Sequence, residues 1–303
     1  MRISPAVRAA LDRGRPVVAL ETTIFSGLGL PDPAGREALA RCLAAVADNG
    51  AVPALTAVLD GEAVVGVEPD EHERLFACTA KVAVRDLPVA VAQGWDAGVT
   101  TVSASLQLAA LAGIGVFATG GIGGVHRDAS VTGDVSADLV ALRRFEVVTV
   151  CAGAKAFLDI PRTLEHLETW SVPVLVLGAD DFPAFTTRSS GVPAPRRVDT
   201  LDEVAAVTAA ARDLGYRGGI VLAVPVGEAD EVPKAVLDAA IERAVRAAAD
   251  AGISGPAVTP YVLDAIAAAT DGRSVPANLA LAEQNAAVAA RLAVLLARPG
   301  GDD

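Results

Sequence analysis

Seven short stretches of this sequence carry a continuous apolar run. They span residues 16–23 (PVVALETT), 51–61 (AVPALTAVLDG), 98–105 (GVTTVSAS), 114–121 (IGVFATGG), 146–153 (EVVTVCAG), 172–179 (VPVLVLGA) and 218–226 (GGIVLAVPV). A strand with one wet face alternates apolar and polar residues. These runs do not alternate, so each predicts a strand buried on both faces. Segments with helical spacing lie between them. Residues 33–50 end at Gly50, residues 136–145 open with Ser136 as an N-cap, and residues 200–219 stop at Gly215. Residues 233–253 and 278–297 read as long amphipathic helices. Alternating strands and helices predict an α/β fold, a layered α/β/α sandwich around a central, mostly buried sheet. With no fixed-period repeat and no linker-like stretch, residues 1–298 read as a single domain and 299–303 as a flexible tail.

The chain has 303 residues, 52% of them hydrophobic, which is ample for a large core. Its formal net charge of −12 argues against a nucleic-acid polymer as partner. A small anion in a locally positive pocket is compatible with it. The uncharged stretch Val99 to Val125 holds six glycines. A helix, a turn, a buried strand and a glycine loop suit it better than a membrane span. Cys42, Cys78 and Cys151 show no ligand spacing and read as reduced core thiols. Together with an N-terminus that lacks an apolar signal core, they predict a cytoplasmic protein with no membrane association.

In open α/β sheets ligands bind beyond the carboxyl ends of the strands, so the reactive residues there are the candidates. Glu21 follows the first run. Lys81 opens KVAVRDLP. His126 follows the glycine loop 120–124, which matches neither GxGxxG nor a P-loop but offers N–H groups to an anion. Asp134, Ser136 and Asp138 come next, and Asp134 and Asp138 read equally well as carboxylates at a helix N-terminus. His72 and His166 fall in charged helical stretches and read as surface residues. Lys155 stands out. Only three of the 25 basic residues are lysines: Lys81, Lys155 and Lys234. An arginine cannot give up its proton, whereas a lysine amine can attack a carbonyl and form an imine. Lys81 is then a neighbouring cation or a phosphate ligand.

The segments VVALETTI, KVAVRDLP, GVTTVSAS, VFATGGIGGVHR, DVSADL, VVTVCAGAKAFLD, FPAFTTRSSG and ANLALAEQNA occur in this order over nearly the whole chain. In this the chain resembles the pseudouridine-5'-phosphate glycosidases. The resemblance implies reversible cleavage of the C–C bond between uracil and ribose 5-phosphate, a manganese ion, an α/β/α fold and a homotrimer. It further implies that Lys155 forms an imine with ribose C1', that Glu21 donates a proton and that Asp134 ligates Mn2+. It makes Lys81, Val102, Ser136, Ala137 and Asp138 substrate contacts and sets His126 and Asn278 at the base. The chemistry fits: the leaving atom is carbon, and an iminium supplies the electron sink that a pair of carboxylates lacks.

Four places depart from that pattern: the loop FSGLGLPDP at 25–33, Val84, Thr186 and Val224. They admit an alternative, a synthase that joins ribose 5-phosphate through carbon to an aromatic polyketide. Two other classes use or lose the same lysine, a phosphosugar aldolase and an inactive binding protein. The long C-terminal helices argue against the barrel expected of the first, and retention of Lys155 and Glu21 argues against the second.

Overall fold

The computed structural model describes residues 1–253, 258–270 and 272–297. Each of the seven apolar runs contains a strand. These are β2 (Val17–Leu20), β3 (Val52–Leu59), β6 (Ala97–Thr100), β7 (Val116–Ala118), β8 (Val148–Cys151), β9 (Val174–Leu177) and β11 (Ile220–Ala223). Four short strands join them: β1 (Arg2–Ile3), β4 (Glu62–Val65), β5 (Lys81–Val82) and β10 (Arg196–Val198). The helices are α1 (Pro5–Asp12), α2 (Ala34–Asp48), α3 (His72–Ala77), α4 (Leu87–Ala92), α5 (Val102–Ala112) and α6 (Ala129–Thr132). They continue with α7 (Ala137–Arg144), α8 (Ile160–Thr169), α9 (Leu201–Asp213), α10 (Lys234–Asp250), α11 (Val258–Ala269) and α12 (Ser274–Ala297). The second half of the run 98–105 is not strand, since α5 begins at Val102. The expected tail at 299–303 and residue 298 lie outside the described residues.

The parallel part of the sheet has the order β3-β2-β7-β8-β11-β9-β10. From β2 the chain moves to β3 on one side and later to β7 on the other. The carboxyl end of β2 is therefore the point where strand order reverses, the position at which open α/β sheets hold ligands. Helices cover both faces, α2, α9 and α12 on one and α1, α5 and α7 on the other, each over its own apolar cluster. The layered sandwich expected from the strand runs is the observed architecture.

One strand bends the plan. The first half of β3 pairs with β2 in parallel, ending at Leu55 opposite Leu20. Its second half pairs antiparallel with β6, Ala57 opposite Val99, and antiparallel with β4 on its other edge. β2 and β6 thus approach along β3 from opposite directions, and their carboxyl ends meet. Buried hydroxyls stitch the junction. Thr22 Oγ1 donates to Thr56 O at 2.8 Å, Thr100 Oγ1 to Thr56 O at 2.6 Å, and Thr56 Oγ1 to Ser105 Oγ at 2.8 Å. In a dry core such bonds replace lost hydration and fix the geometry of the junction.

Local signals set the helix starts. Ser136 caps α7 by accepting Asp138 N–H at 3.2 Å. Asp159 caps α8 through Arg162 N–H at 3.0 Å, and Thr200 caps α9 through Glu203 N–H at 3.2 Å. α9 ends just before Gly215, which takes the left-handed conformation expected of a helix stop. The uncharged stretch 99–125 resolves into α5, a turn at Gly113, β7 and a glycine loop. By length and composition α12 could cross a membrane, but it packs on β2, β7 and β8 and buries a continuous face, as a core helix does.

Candidate active site

Glu21 is the first residue past β2, and Thr119 is the first past β7. Those strands are paired in register at Leu20 and Ala118, so the two side chains stand side by side. The Thr119 hydroxyl donates to Glu21 Oε1. The turn after β8 delivers Lys155 to the same end of the sheet. Gly153 makes that turn with φ of 80°, and a Cβ there would fall 2.2 Å from Pro183 O, so only glycine fits. The Lys155 peptide is tied to the glycine loop by its N–H to Ile122 O at 3.1 Å. Lys81 opens β5 opposite Val99 of β6, and Val102 begins the helix that follows β6. The head-to-head meeting of β2 and β6 is what brings Glu21, Lys81 and Val102 together from opposite strand directions.

The start of α7 completes the ring. Asp138 is 5% exposed. Its Oδ1 accepts Ser103 N–H at 3.0 Å and its Oδ2 accepts Gly123 N–H at 2.9 Å. It ties α7, α5 and the glycine loop into one unit. Gly123 passes so close that a Cβ would stand 2.3 Å from Ser136 Oγ. Ser136 and Ala137 follow on the cavity wall. His126 and Asp134 face one another, Nε2 to Oδ2 at 3.8 Å, across a backbone bond from His126 N to Asp134 O at 3.1 Å.

These residues surround a cavity of about 590 Å³. All ten positions singled out in the sequence line it: Glu21, Lys81, Val102, His126, Asp134, Ser136, Ala137, Asp138, Lys155 and Asn278. Its lining also includes apolar side chains, Ile24, Leu28, Phe157, Trp170, Phe185 and Leu263 among them. Asn278 lines the cavity, is 7% exposed, and its buried Oδ1 has no partner among the described residues. Burial pushes the Glu21 carboxyl above the ordinary carboxylate range; the Lys155 cation, the Thr119 hydroxyl and Lys81 oppose the rise, and Asp138 adds to it. Burial, and then Lys155, hold the Lys81 ammonium below its usual value, against the pull of Asp138, Glu21 and Asp134. The cavity lining is therefore a mixed cluster of basic side chains (Lys81, Arg85, Lys155) and acidic ones (Glu21, Asp86, Asp134, Asp138). Such a cluster can hold a phosphorylated sugar and pass a proton.

A family model described as "Indigoidine synthase A like protein" matches residues 6–295. The chain belongs to this family. Among its curated relatives, pseudouridine-5'-phosphate glycosidase of Deinococcus radiodurans is 50% identical over 300 residues, covering 98% of this chain and 95% of that protein. The enzyme of the same name from Methylobacterium nodulans is 51% identical over 295 residues, covering 97% and 87%. Among solved structures, the prealnumycin C-glycosynthase AlnA, in complex with ribulose 5-phosphate, superposes with a TM-score of 0.89 at 36% identity, covering 97% of this chain and 96% of that one. An indigoidine synthase A-like protein from Thermotoga maritima gives 0.86 at 34% identity, covering 94% of each.

Within this indigoidine synthase A-like fold the structure also corrects the sequence reading. His166 is less exposed than its charged neighbours suggest. It is half-buried on α8, and with Trp170, one turn on, it forms an aromatic edge of the cavity, ring centroids 6.4 Å apart. His72 is likewise half-buried, at the start of α3, away from the cavity. Of the four departures from the glycosidase pattern, only the 25–33 loop reaches the cavity, through Leu28 and Gly29. Val84 and Val224 do not line it, and Thr186 lies in an adjoining small pocket. The residues that sequence reasoning missed are Thr119, Phe185 and Asn285. Phe185 carries a φ of 61° with its ring against Gly121, a strained backbone that nothing in the sequence signals.

Among the described residues no group of three or more His, Cys, Asp and Glu side chains is arranged to hold a metal. The paired donors in the cavity are the Asp134 carboxylate and His126 beside it. That fits a hard cation that keeps most of its water, not an ion in an all-protein cage. All three cysteines are free and buried, and burial pushes the Cys42 and Cys151 thiols up to about 12, so neither is a nucleophile.

Proposed function

We propose that this chain is a pseudouridine-5'-phosphate glycosidase, cleaving its substrate to uracil and ribose 5-phosphate. The observation that carries the reading is the convergence of Lys155, Glu21 and Lys81 in one cavity of a chain that shares half its residues with glycosidases along its whole length. Lys155, as the free amine, attacks ribose C1'. The C1'–O4' bond opens and O4' takes up the proton that the attacking amine sheds. Glu21, kept protonated to higher pH by burial, gives its proton to the base carbon. The C1'–C bond to the base then breaks, its electrons stay with the base, and C1' becomes an iminium on Lys155. Water hydrolyses the iminium, returning the lysine and releasing the sugar. Lys81, the Ser136 hydroxyl and the N–H groups near Val102 hold the phosphorylated sugar, and Asn278 with His126 holds the base.

Mn2+ is part of this proposal, held by Asp134 with water filling its shell; when bound it supplies a polarised water and charge for the phosphorylated substrate. The free thiols suit a reducing compartment, and we place the protein in the cytoplasm, away from the membrane. A homotrimer follows from the family resemblance and is checked by light scattering against three times the 30.6 kDa chain mass.

The C-ribosylating synthase is the weaker alternative. The solved C-glycosynthase shares the fold at lower identity than the glycosidases, and Val84 and Val224, which suggested it, stand outside the cavity. One experiment tests both readings. The protein is incubated with pseudouridine 5'-phosphate and Mn2+, and uracil is measured by chromatography, with Lys155→Ala alongside. Uracil from the wild type alone supports the glycosidase. No uracil, with ribose 5-phosphate still trapped on Lys155 by borohydride, overturns it in favour of another carbon acceptor.

A further inference from the structure

We propose that Thr119 is a positioning residue for Glu21, and that Asn285 anchors Thr119 from behind. The inference rests on the glycosidase reading of Glu21 as proton donor. It begins with register. β2 and β7 are paired up to Leu20 and Ala118, and Glu21 and Thr119 are the next position on each strand. A hydroxyl has one proton to give, and Thr119 gives it to Oε1 of Glu21. With Oε1 so occupied, the titrating proton of Glu21 resides on Oε2. Thr119 therefore chooses the oxygen that carries the proton as well as fixing the carboxyl's orientation.

The Thr119 peptide is itself held on both sides. Its N–H donates to Val150 O of β8 at 3.0 Å. Its carbonyl accepts from Asn285 Nδ2 at 2.8 Å, and the same amide reaches Gly120 O at 3.2 Å. Asn285 is 1% exposed. Presenting its nitrogen to two carbonyls leaves its Oδ1 without a partner among the described residues. A purely structural amide would be expected to satisfy both ends. Asn278 and Asn285 lie seven residues apart, two turns along one face of α12. The same helix thus offers one amide to the cavity and, two turns on, another to the strand tip beneath Glu21.

The charged groups that face Glu21 are Lys155 and Lys81, which favour its anion, and Asp138, which opposes it. None of them makes the directed hydrogen bond that Thr119 makes, so losing Thr119 is not compensated by its neighbours.

The test reads Glu21 directly. Glutamate is labelled with 13C at the carboxyl carbon, and the Glu21 signal is assigned by its loss in Glu21→Gln. In Thr119→Val the Glu21 titration is expected to move alkaline by about one unit, and in Thr119→Ser to return to within a few tenths. In turnover, kcat of Thr119→Val should fall about tenfold with KM little changed, and the pH limb should shift with the titration. If Thr119→Val does not fold, Thr119→Ala, which only removes atoms, gives the same readout. An unmoved Glu21 titration in a folded variant overturns the proposal. The titration needs no substrate. A wild type that releases no uracil but shows the shift overturns the glycosidase reading and leaves the role of Thr119 intact.

Discussion

Asp138 Oδ1 accepts the backbone N–H of Ser103 at 3.0 Å, so the first turn of α7 is fastened to the first turn of α5. The other oxygen holds the glycine loop at Gly123. Each oxygen of this cavity-lining aspartate thus accepts one backbone N–H, and the side chain holds the cavity walls at fixed spacing.

Asp138→Asn turns one acceptor into a donor that faces an N–H. We expect a stability loss of about 2–3 kcal/mol and a larger fall in kcat/KM than that instability explains. Urea unfolding and turnover on the same sample separate the two. A variant with native stability and native turnover would remove Asp138 from the site.

Burial holds the Glu21 carboxyl above its ordinary value of 4.5. The folded chain thus keeps a proton that the unfolded chain has released. The associated stability is full below the unfolded value and is lost as pH rises through the folded value. Glu21→Gln removes that dependence. Its stability relative to wild type should rise with pH above the unfolded value, by up to about 1.4 kcal/mol per unit, and then level off. A difference that stays flat from acid to neutral pH would contradict the assignment.

Gly123→Ala would set a Cβ 2.3 Å from Ser136 Oγ and 2.7 Å from Asp138 Oδ2. The cost should be about 1–3 kcal/mol, with loss of turnover, because the crowded atoms belong to the site. Gly115→Ala meets only Arg212 Nη2 at 3.8 Å and should be neutral within about 0.5 kcal/mol. Thermal denaturation of the pair checks the contrast.

Asp134→Asn should weaken Mn2+ binding roughly tenfold or more while leaving the fold intact, since its side chain is a third exposed. Electron paramagnetic resonance of free Mn2+ reads binding without reference to activity. Equal affinity in both proteins would place the ion elsewhere.

Much of this was legible in the sequence, and particular residues show where legibility ends. The seven continuous apolar runs mark strands because a strand covered on both faces has no position for a polar side chain. β1 and β5 hold two residues each, too few to show a period. The division of β3 between β2 and β6 leaves no trace in its composition. Lys155, Glu21 and Lys81 could be singled out because their chemistry stands out against apolar surroundings. Thr119 and Asn285 could not, since a threonine after a strand and an asparagine in an alanine-rich helix are common, and only the register of β2 with β7 gives them a purpose. His166 misled because charged neighbours on α8 suggested solvent, while its own side of the helix turns inward.

The tip-to-tip meeting of β2 and β6 on β3 has a consequence for how such an enzyme can change. A slip of one residue in β2 would displace Glu21 by about 3.3 Å and turn it to the other face. The tolerance of the chemistry is thus inherited from the hydrogen-bond ladder of the core. The 25–33 loop and the aromatic edge on α8 carry no such constraint. Substrate range can drift at the rim while the acid and the amine keep their places, a division of labour between a rigid chassis and a revisable mouth.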